Sequence, residues 1–136
     1  MLRTTISLAA ILMLAGCASM ISSATSRMAD NLTTAMLNQN DPETVREGAP
    51  AYLIMIDGLI QGDPENTKLL LAGLKLYFSY TSAFIDDEER AKLLAEKSLT
   101  YSRTALCFEI PDLCMALSEK LDVFNQALND TRLQAA

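Results

Sequence analysis

The tripeptide Asp-Pro-Glu occurs twice, at 41–43 and at 63–65, and each copy precedes a long, mostly apolar segment. Aspartate is a favoured helix N-cap, proline suits the first helical turn, and glutamate complements the positive end of the helix dipole. We therefore predict helices from Asp41 to Gly62 and from Asp63 to Phe84. Since no segment shows the alternation of apolar and polar residues that a strand needs, the chain is confined to packed helices.

Three further segments show helical periodicity. A first helix over about 27–38 carries an apolar residue at every fourth position. Asp86 and Glu89 form a capping box that opens a helix ending near Cys107. Pro111 opens a last helix, whose apolar stripe is Leu113, Leu117, Leu121, Phe124 and Leu128. The fold class is therefore all-α, with about five helices.

Two residues bear on how these helices pack. Pro50 removes a backbone donor and is expected to kink or split its helix near Gly48. Gly73 lies beside an apolar stripe, where it lets a neighbouring helix approach closely. Long helices with repeated starts favour tetratricopeptide-like hairpins, and a plain helical bundle is the alternative.

The N-terminus has the order of a secretory signal peptide. Arg3 supplies a positive charge, and the apolar stretch that follows is too short to span a bilayer. Leu14-Ala15-Gly16-Cys17 matches the lipobox of bacterial lipoproteins, in which the cysteine is acylated and becomes the first mature residue. An ordinary signal peptide with a chance cysteine is the alternative. We expect residues 1–16 to be a lipoprotein signal peptide and Cys17 to carry the lipid that holds the protein at a membrane.

The mature chain divides into three parts. Residues 17–27 are rich in Ser, Thr and Ala and are expected to form a flexible tether. Residues 28–130 form the helical domain, and residues 131–136 are a tail. Ala18 follows the cysteine where inner-membrane lipoproteins tend to carry aspartate. By that resemblance, the protein is anchored in the outer membrane and faces the periplasm.

Composition argues against several functions. The chain has a net charge of −6 and no histidine. An acidic chain is repelled by nucleic acid, and without histidine it lacks the commonest general base and the commonest metal ligand. We therefore expect no nucleic-acid partner, no metal, no cofactor and no catalytic residue, so the protein is not an enzyme.

The two cysteines beyond Cys17 are Cys107 and Cys114. An even pair in an exported chain favours a disulfide. A zinc site is the alternative, but it lacks two further ligands.

A candidate groove for a partner or ligand is suggested by five residues of the second and third helices. Asp57 interrupts an apolar stretch, and if buried it needs a partner such as Lys75 or Arg46, or a backbone donor. The aromatic residues can also be explained by helix packing alone. The candidates are Tyr52, Asp57, Tyr77, Tyr80 and Phe84.

The stretch from Asp41 to Cys114 resembles the T component of tripartite ATP-independent periplasmic (TRAP) transporters. The resemblance rests on "VREGAPAYLIMIDGLI", on "PEN" before a leucine run, and on "YTSAFIDDEERAKLLAEKSL" and "ALC", and it continues through "PDLCMALSEKLDVFNQAL". Family members continue with further helical hairpins, so the resemblance covers their N-terminal half.

The resemblance implies a tetratricopeptide-like lipoprotein that faces the periplasm. It implies one partner, the solute-binding protein of the transporter, and assembly as a homotrimer with a hole through each protomer. The expected role is to dock that protein and assist solute uptake. Two alternatives are a general envelope scaffold lipoprotein and a binder of an apolar small molecule in the helical groove.

Overall fold

The computed structural model describes residues 21–134, and its regular structure there is entirely helical. The prediction of an all-α fold is confirmed, with six helices in this part of the chain. They are α1 (21–37), α2 (Pro42–Gly62), α3 (Thr67–Phe84), α4 (Glu88–Glu109), α5 (Pro111–Ala116) and α6 (Leu121–Gln134).

The helices α2, α3 and α4 form two successive antiparallel hairpins that share α3. Residues near the end of α2 meet the start of α3, since Ile60 packs on Gly73, while Arg46 near the start of α2 lies over Phe84 at the end of α3. On the other side of α3, the hydroxyl of Ser98 in α4 donates to the Leu74 carbonyl at 3.2 Å. The tetratricopeptide-like assignment of these hairpins stays a prediction.

The core lies between α1, α2, α3 and α4. Its largest fully buried side chains are Ile56, Leu69, Leu70 and Thr33. Gly73 is at the centre, where an added Cβ would lie 2.9 Å from both Ile60 Cδ1 and Tyr101 Cδ2. The expected close approach at this glycine is confirmed.

The first Asp-Pro-Glu starts a helix, but the second does not. Asp41 caps α2 by accepting from the Glu43 amide at 3.1 Å. Asp63 instead lies at the C-terminal end of α2, because its amide still donates to the carbonyls of Leu59 and Ile60, and Asn66 caps α3. The predicted start of α3 at Asp63 is therefore wrong by one turn.

The helix α4 starts one residue later than expected. Asp87, not Asp86, is its N-cap and accepts from the Arg90 amide at 2.8 Å. Two adjacent aspartates offer equivalent caps, and the sequence does not choose between them.

Pro50 does not split α2, which is continuous from Pro42 to Gly62. The proline removes one hydrogen bond, to the Arg46 carbonyl. The helix on either side of Pro50 is held by packing, since Ala49, Leu53 and Ile56 are all buried. Tertiary contacts therefore keep the helix in register across the missing bond.

The predicted single helix from Pro111 is divided into α5 and α6. The division falls at residues 117–120, where Leu117 caps α5 and the turn includes Ser118, Glu119 and Lys120. Of the predicted stripe, Leu117 and Leu121 are exposed, so no packing holds these residues in a continuous helix.

The expected tether is wrong for residues 21–27, which belong to α1. A polar network ties this end of α1 to the α2–α3 turn. The side-chain amide of Asn66 donates to the hydroxyls of Ser22 and Ser26 at 2.9 and 2.8 Å, and Ser22 donates to Asp63 at 2.6 Å. Ser22 and Ser26, which the composition assigned to a linker, therefore help to pack α1 against the rest of the domain.

Residues 1–20 lie outside the described part of the chain, and with them the predicted leader and Cys17. Among the described helices, none is both long enough and apolar enough to cross a membrane.

Candidate functional site: an apolar groove and a buried polar cluster

An open apolar groove lies between the end of α1, the first half of α2 and the second half of α3. Its volume is about 390 Å³. We call it the α1–α2–α3 groove, and its lining is Met36, Leu37, Gln39, Pro42, Val45, Ala49, Leu76, Ser79, Tyr80, Ala83 and Phe84. Of the five predicted groove residues, Tyr80 and Phe84 therefore lie in it, with their ring centroids 5.6 Å apart.

One cation lies at the rim of this groove. The guanidinium of Arg46 is 5.3 Å from the centroid of the Phe84 ring, and its Nε is 3.4 Å from a Glu43 carboxylate oxygen. Both charged side chains are more than half exposed. The rim thus places a positive and a negative group beside an apolar floor, which is typical of a surface that contacts a partner.

Tyr52 lies in a neighbouring recess of about 290 Å³ between α1 and α2. The recess shares Met36, Gln39, Val45 and Ala49 with the α1–α2–α3 groove. Tyr52 is therefore beside the groove but not in it.

Asp57 and Tyr77 belong to a separate feature, which we call the Asp57 cluster. Tyr77 in α3 donates to Asp57 Oδ2 at 2.8 Å, and Tyr101 in α4 donates to Oδ1 at 2.5 Å. Lys97 in α4 forms an ion pair with Oδ2. The cluster, consisting of Asp57, Tyr77, Lys97 and Tyr101, therefore joins three helices through one carboxylate.

The surroundings of the cluster favour its protonated tyrosines. Burial, and then the hydrogen bond to Asp57, raise the pKa of Tyr101 well above its ordinary value. The same two causes raise the pKa of Tyr77. Burial alone would lower the pKa of Lys97, but its hydrogen bonds to Asp57 and Tyr77 outweigh burial and raise that pKa.

The partners expected for Asp57, Lys75 and Arg46, are wrong. The cation that pairs with it is Lys97, one turn before Tyr101 on the face of α4 that packs on α3. A spacing of four residues places Lys97 and Tyr101 on one face of α4. The sequence could therefore have indicated that both approach the same acceptor. Because both carboxylate oxygens of Asp57 already accept hydrogen bonds from within the cluster, we assign it to helix packing and not to ligand binding.

Cys107 near the end of α4 and Cys114 in α5 are adjacent in space, with Cα atoms 4.8 Å apart. This separation lies within the range that disulfides require. Across residues 21–134, no three residues of the types that bind metals are grouped closely enough to hold an ion.

A family model described as the TRAP transporter T-component matches residues 38–136, which is more than half of the chain. No curated protein and no solved structure matches it. A T component is an accessory, envelope-associated part of a transporter and does not represent a known enzyme family. The matched residues begin directly after α1 and include all of α2 to α6, together with most of the groove. This chain therefore belongs to the T-component family of TRAP transporters.

Proposed function

We propose that the protein is a lipid-anchored accessory component of a TRAP transporter. In this proposal Cys17 holds it at the outer membrane, facing the periplasm, and it docks the solute-binding protein and assists solute uptake. Family membership is the observation that carries the proposal. The α1–α2–α3 groove supports it by offering an open apolar surface on three helices.

The groove is suited to a protruding apolar side chain of the partner. Tyr80 and Phe84 form an aromatic wall, and Ala83 beside them is exposed. Aromatic residues are enriched where protein partners contact each other, and a small neighbour leaves room for an inserted side chain. The Arg46 and Glu43 rim would fix the register of the partner through charge.

Ala83→Arg tests the docking site. The arginine side chain would occupy the groove, and it should weaken binding of the purified solute-binding protein by at least about tenfold, as loss of a central interface contact does. Ala95→Arg is the matched control, because Ala95 is also an exposed helical alanine but lies in α4, away from the groove. The measurement is the Kd from surface plasmon resonance. Equal Kd values for both variants and the unmodified protein would exclude this groove as the docking surface.

A second candidate function is binding of an apolar small molecule in the same groove. The volume of about 390 Å³ supports it, since small-molecule sites have volumes of about 300 Å³ or more. Native mass spectrometry of the purified protein distinguishes the two. A retained small molecule that Ala83→Arg releases, with no effect on the solute-binding protein, would favour this second function.

The anchor has its own test. Cys17→Ala should release the protein from membranes, because the acyl chains are the only membrane attachment in this proposal. Fractionation of cells that express each form measures it. Membrane retention of the alanine variant in high-salt buffer, which weakens electrostatic contacts, would refute the acyl anchor. The implied homotrimer is tested on the mature lipoprotein by sedimentation velocity in detergent.

A further inference from the structure

We propose that a basic patch on α1 and α3, formed by Arg27, Lys68 and Lys75, binds the anionic phospholipid headgroups of the membrane that carries the lipid anchor. This inference rests on the anchor at Cys17 and adds a second, electrostatic contact to it. The three cations line one open cavity of about 340 Å³, together with Asp30 and the apolar residues Leu71 and Ala72.

The charge of this patch is opposite to that of the chain. Its lining carries three positive groups and one negative group, whereas the whole chain has a net charge of −6. Among the described residues, ion pairs within 4 Å are formed by Arg46 with Glu43 and by Lys97 with Asp57. Arg27, Lys68 and Lys75 therefore have no internal anionic partner within that part of the chain, and their charges are available to an external anion.

The exposure of the patch favours a membrane surface over a small soluble anion. All three cations are exposed, and Ser26, a buried polar residue of the cavity lining, already donates its hydroxyl to the Ser22 carbonyl. Solvated lysines and arginines bind a small anion weakly, but near an anionic bilayer each one contributes about a fivefold gain in partitioning. Leu71, which lies between the two lysines on α3, is 41% exposed and adds an apolar contact with the interface.

The position of the patch places it within reach of the anchor. Residue 21, where the described part of α1 begins, is four positions after Cys17, and a fully extended chain covers at most about 14 Å in four steps. Arg27 is six residues further along the helix, or about 9 Å. The polar network between Ser22, Ser26 and Asn66 fixes α1 to the start of α3, so Lys68 is held on the same side.

The experiment uses the full acylated protein in vesicles and measures how fast an amine-reactive reagent modifies each lysine. In vesicles that contain phosphatidylglycerol, Lys68 and Lys75 should react several-fold more slowly than in pure phosphatidylcholine. High salt should remove the difference. Lys92 and Lys120 are internal controls, because both are exposed and lie outside the patch.

Arg27→Glu provides a variant that leaves both reporter lysines in place. It should abolish most of their protection, whereas Arg103→Glu, an exposed arginine of α4, should not. If the protein still sediments with the vesicles but its lysines react equally fast in both lipids, the proposed binding of the patch to anionic headgroups is wrong. The acyl anchor would not be affected by that result. Protein that sediments with neither lipid would refute the anchor and this inference with it. Protection by inorganic phosphate without vesicles would instead identify a site for a free anion, and would overturn the lipid assignment.

Discussion

At the scale of single residues, the Asp57 carboxylate joins three helices. It accepts hydrogen bonds from two tyrosines that are almost fully buried and pairs with a lysine whose side chain is 41% exposed. The lysine can turn to solvent if the carboxylate is lost, but the tyrosine hydroxyls have no such alternative. Most of the stabilisation should therefore come from the tyrosines.

Tyr101→Phe should lower the free energy of unfolding by about 1.5–3 kcal/mol, because it removes a hydrogen bond to a charged acceptor. Urea denaturation followed by circular dichroism measures the change. Tyr52→Phe is the control, since the Tyr52 hydroxyl makes no hydrogen bond to the described residues, and it should change stability by less than about 0.5 kcal/mol. Equal effects of the two substitutions would contradict the assigned role of the cluster.

The same residues predict a loss of stability in alkali. In the folded protein the pKa values of Tyr77, Tyr101 and Lys97 are all raised. Above about pH 10 the unfolded chain releases these protons while the folded chain keeps them. The stabilisation is therefore complete below that pH and is lost as the pH rises through the folded pKa values.

The measurement is the free energy of unfolding between about pH 9 and pH 11. It should fall more steeply for the unmodified protein than for Tyr101→Phe, which has one fewer perturbed tyrosine. Parallel curves for the two proteins would show that the alkaline loss arises elsewhere in the chain.

At the scale of helices, Gly73 sets the distance between α3 and its neighbours. Gly73→Ala would gain about 1 kcal/mol of helix propensity but would place a methyl group 2.9 Å from the Tyr101 ring, which its hydrogen bond to Asp57 holds in place. Overpacking of this kind costs about 1–3 kcal/mol, so we expect a net loss of about 1 kcal/mol.

Gly58→Ala is the matched control for that substitution. Gly58 is also inside a helix, but nothing lies within 4 Å of an added Cβ, so the alanine should stabilise the protein by about 0.5–1 kcal/mol. The opposite signs of the two effects can be read from thermal or urea unfolding. Stabilisation by both alanines would mean that α3 and α4 can separate without cost.

The junction between α4 and α5 gives a second prediction at this scale. Cys107 and Cys114 should be joined in the mature protein, giving an intact mass two hydrogens lower than after reduction. Closing so short a loop should stabilise the fold by about 2.5 kcal/mol in the chain-entropy model, and Cys107→Ser with Cys114→Ser should lose that amount. Free thiols in protein freshly prepared from the periplasm would contradict the pairing.

At the scale of the whole molecule, periodicity was sufficient to predict an all-α fold, and the residues at the two ends of α2 predicted its bounds. These signals could not place the start of α3, because Asp63 and Asn66 are both good caps and the choice depends on Ser22 and Ser26, some forty residues earlier. Periodicity also predicted one helix in place of α5 and α6, since the leucine spacing continues through the turn between them. Leu117 and Leu121 are nevertheless exposed.

The candidate groove was predicted only in part for the same reason. Tyr80 and Phe84 are in it, while Asp57 and Tyr77 are drawn into a different cluster by Tyr101 and Lys97 of α4. Local spacing assigns a residue to a face of its own helix. Which other helix meets that face is decided by long-range packing, which spacing within a single helix does not encode.

The attachment of α1 at both of its ends has a mechanical consequence. Ser22 and Ser26 are bound to the α2–α3 turn, while Met36 and Leu37 line the groove at the opposite end. The seventeen helical residues between 21 and 37 span about 25 Å. With acyl chains on Cys17, this rigid helix would hold the mouth of the groove at a fixed distance from the end of α1 that is nearer to the anchor. An incoming periplasmic protein would then meet the groove at the end of α1 that is farther from the lipid.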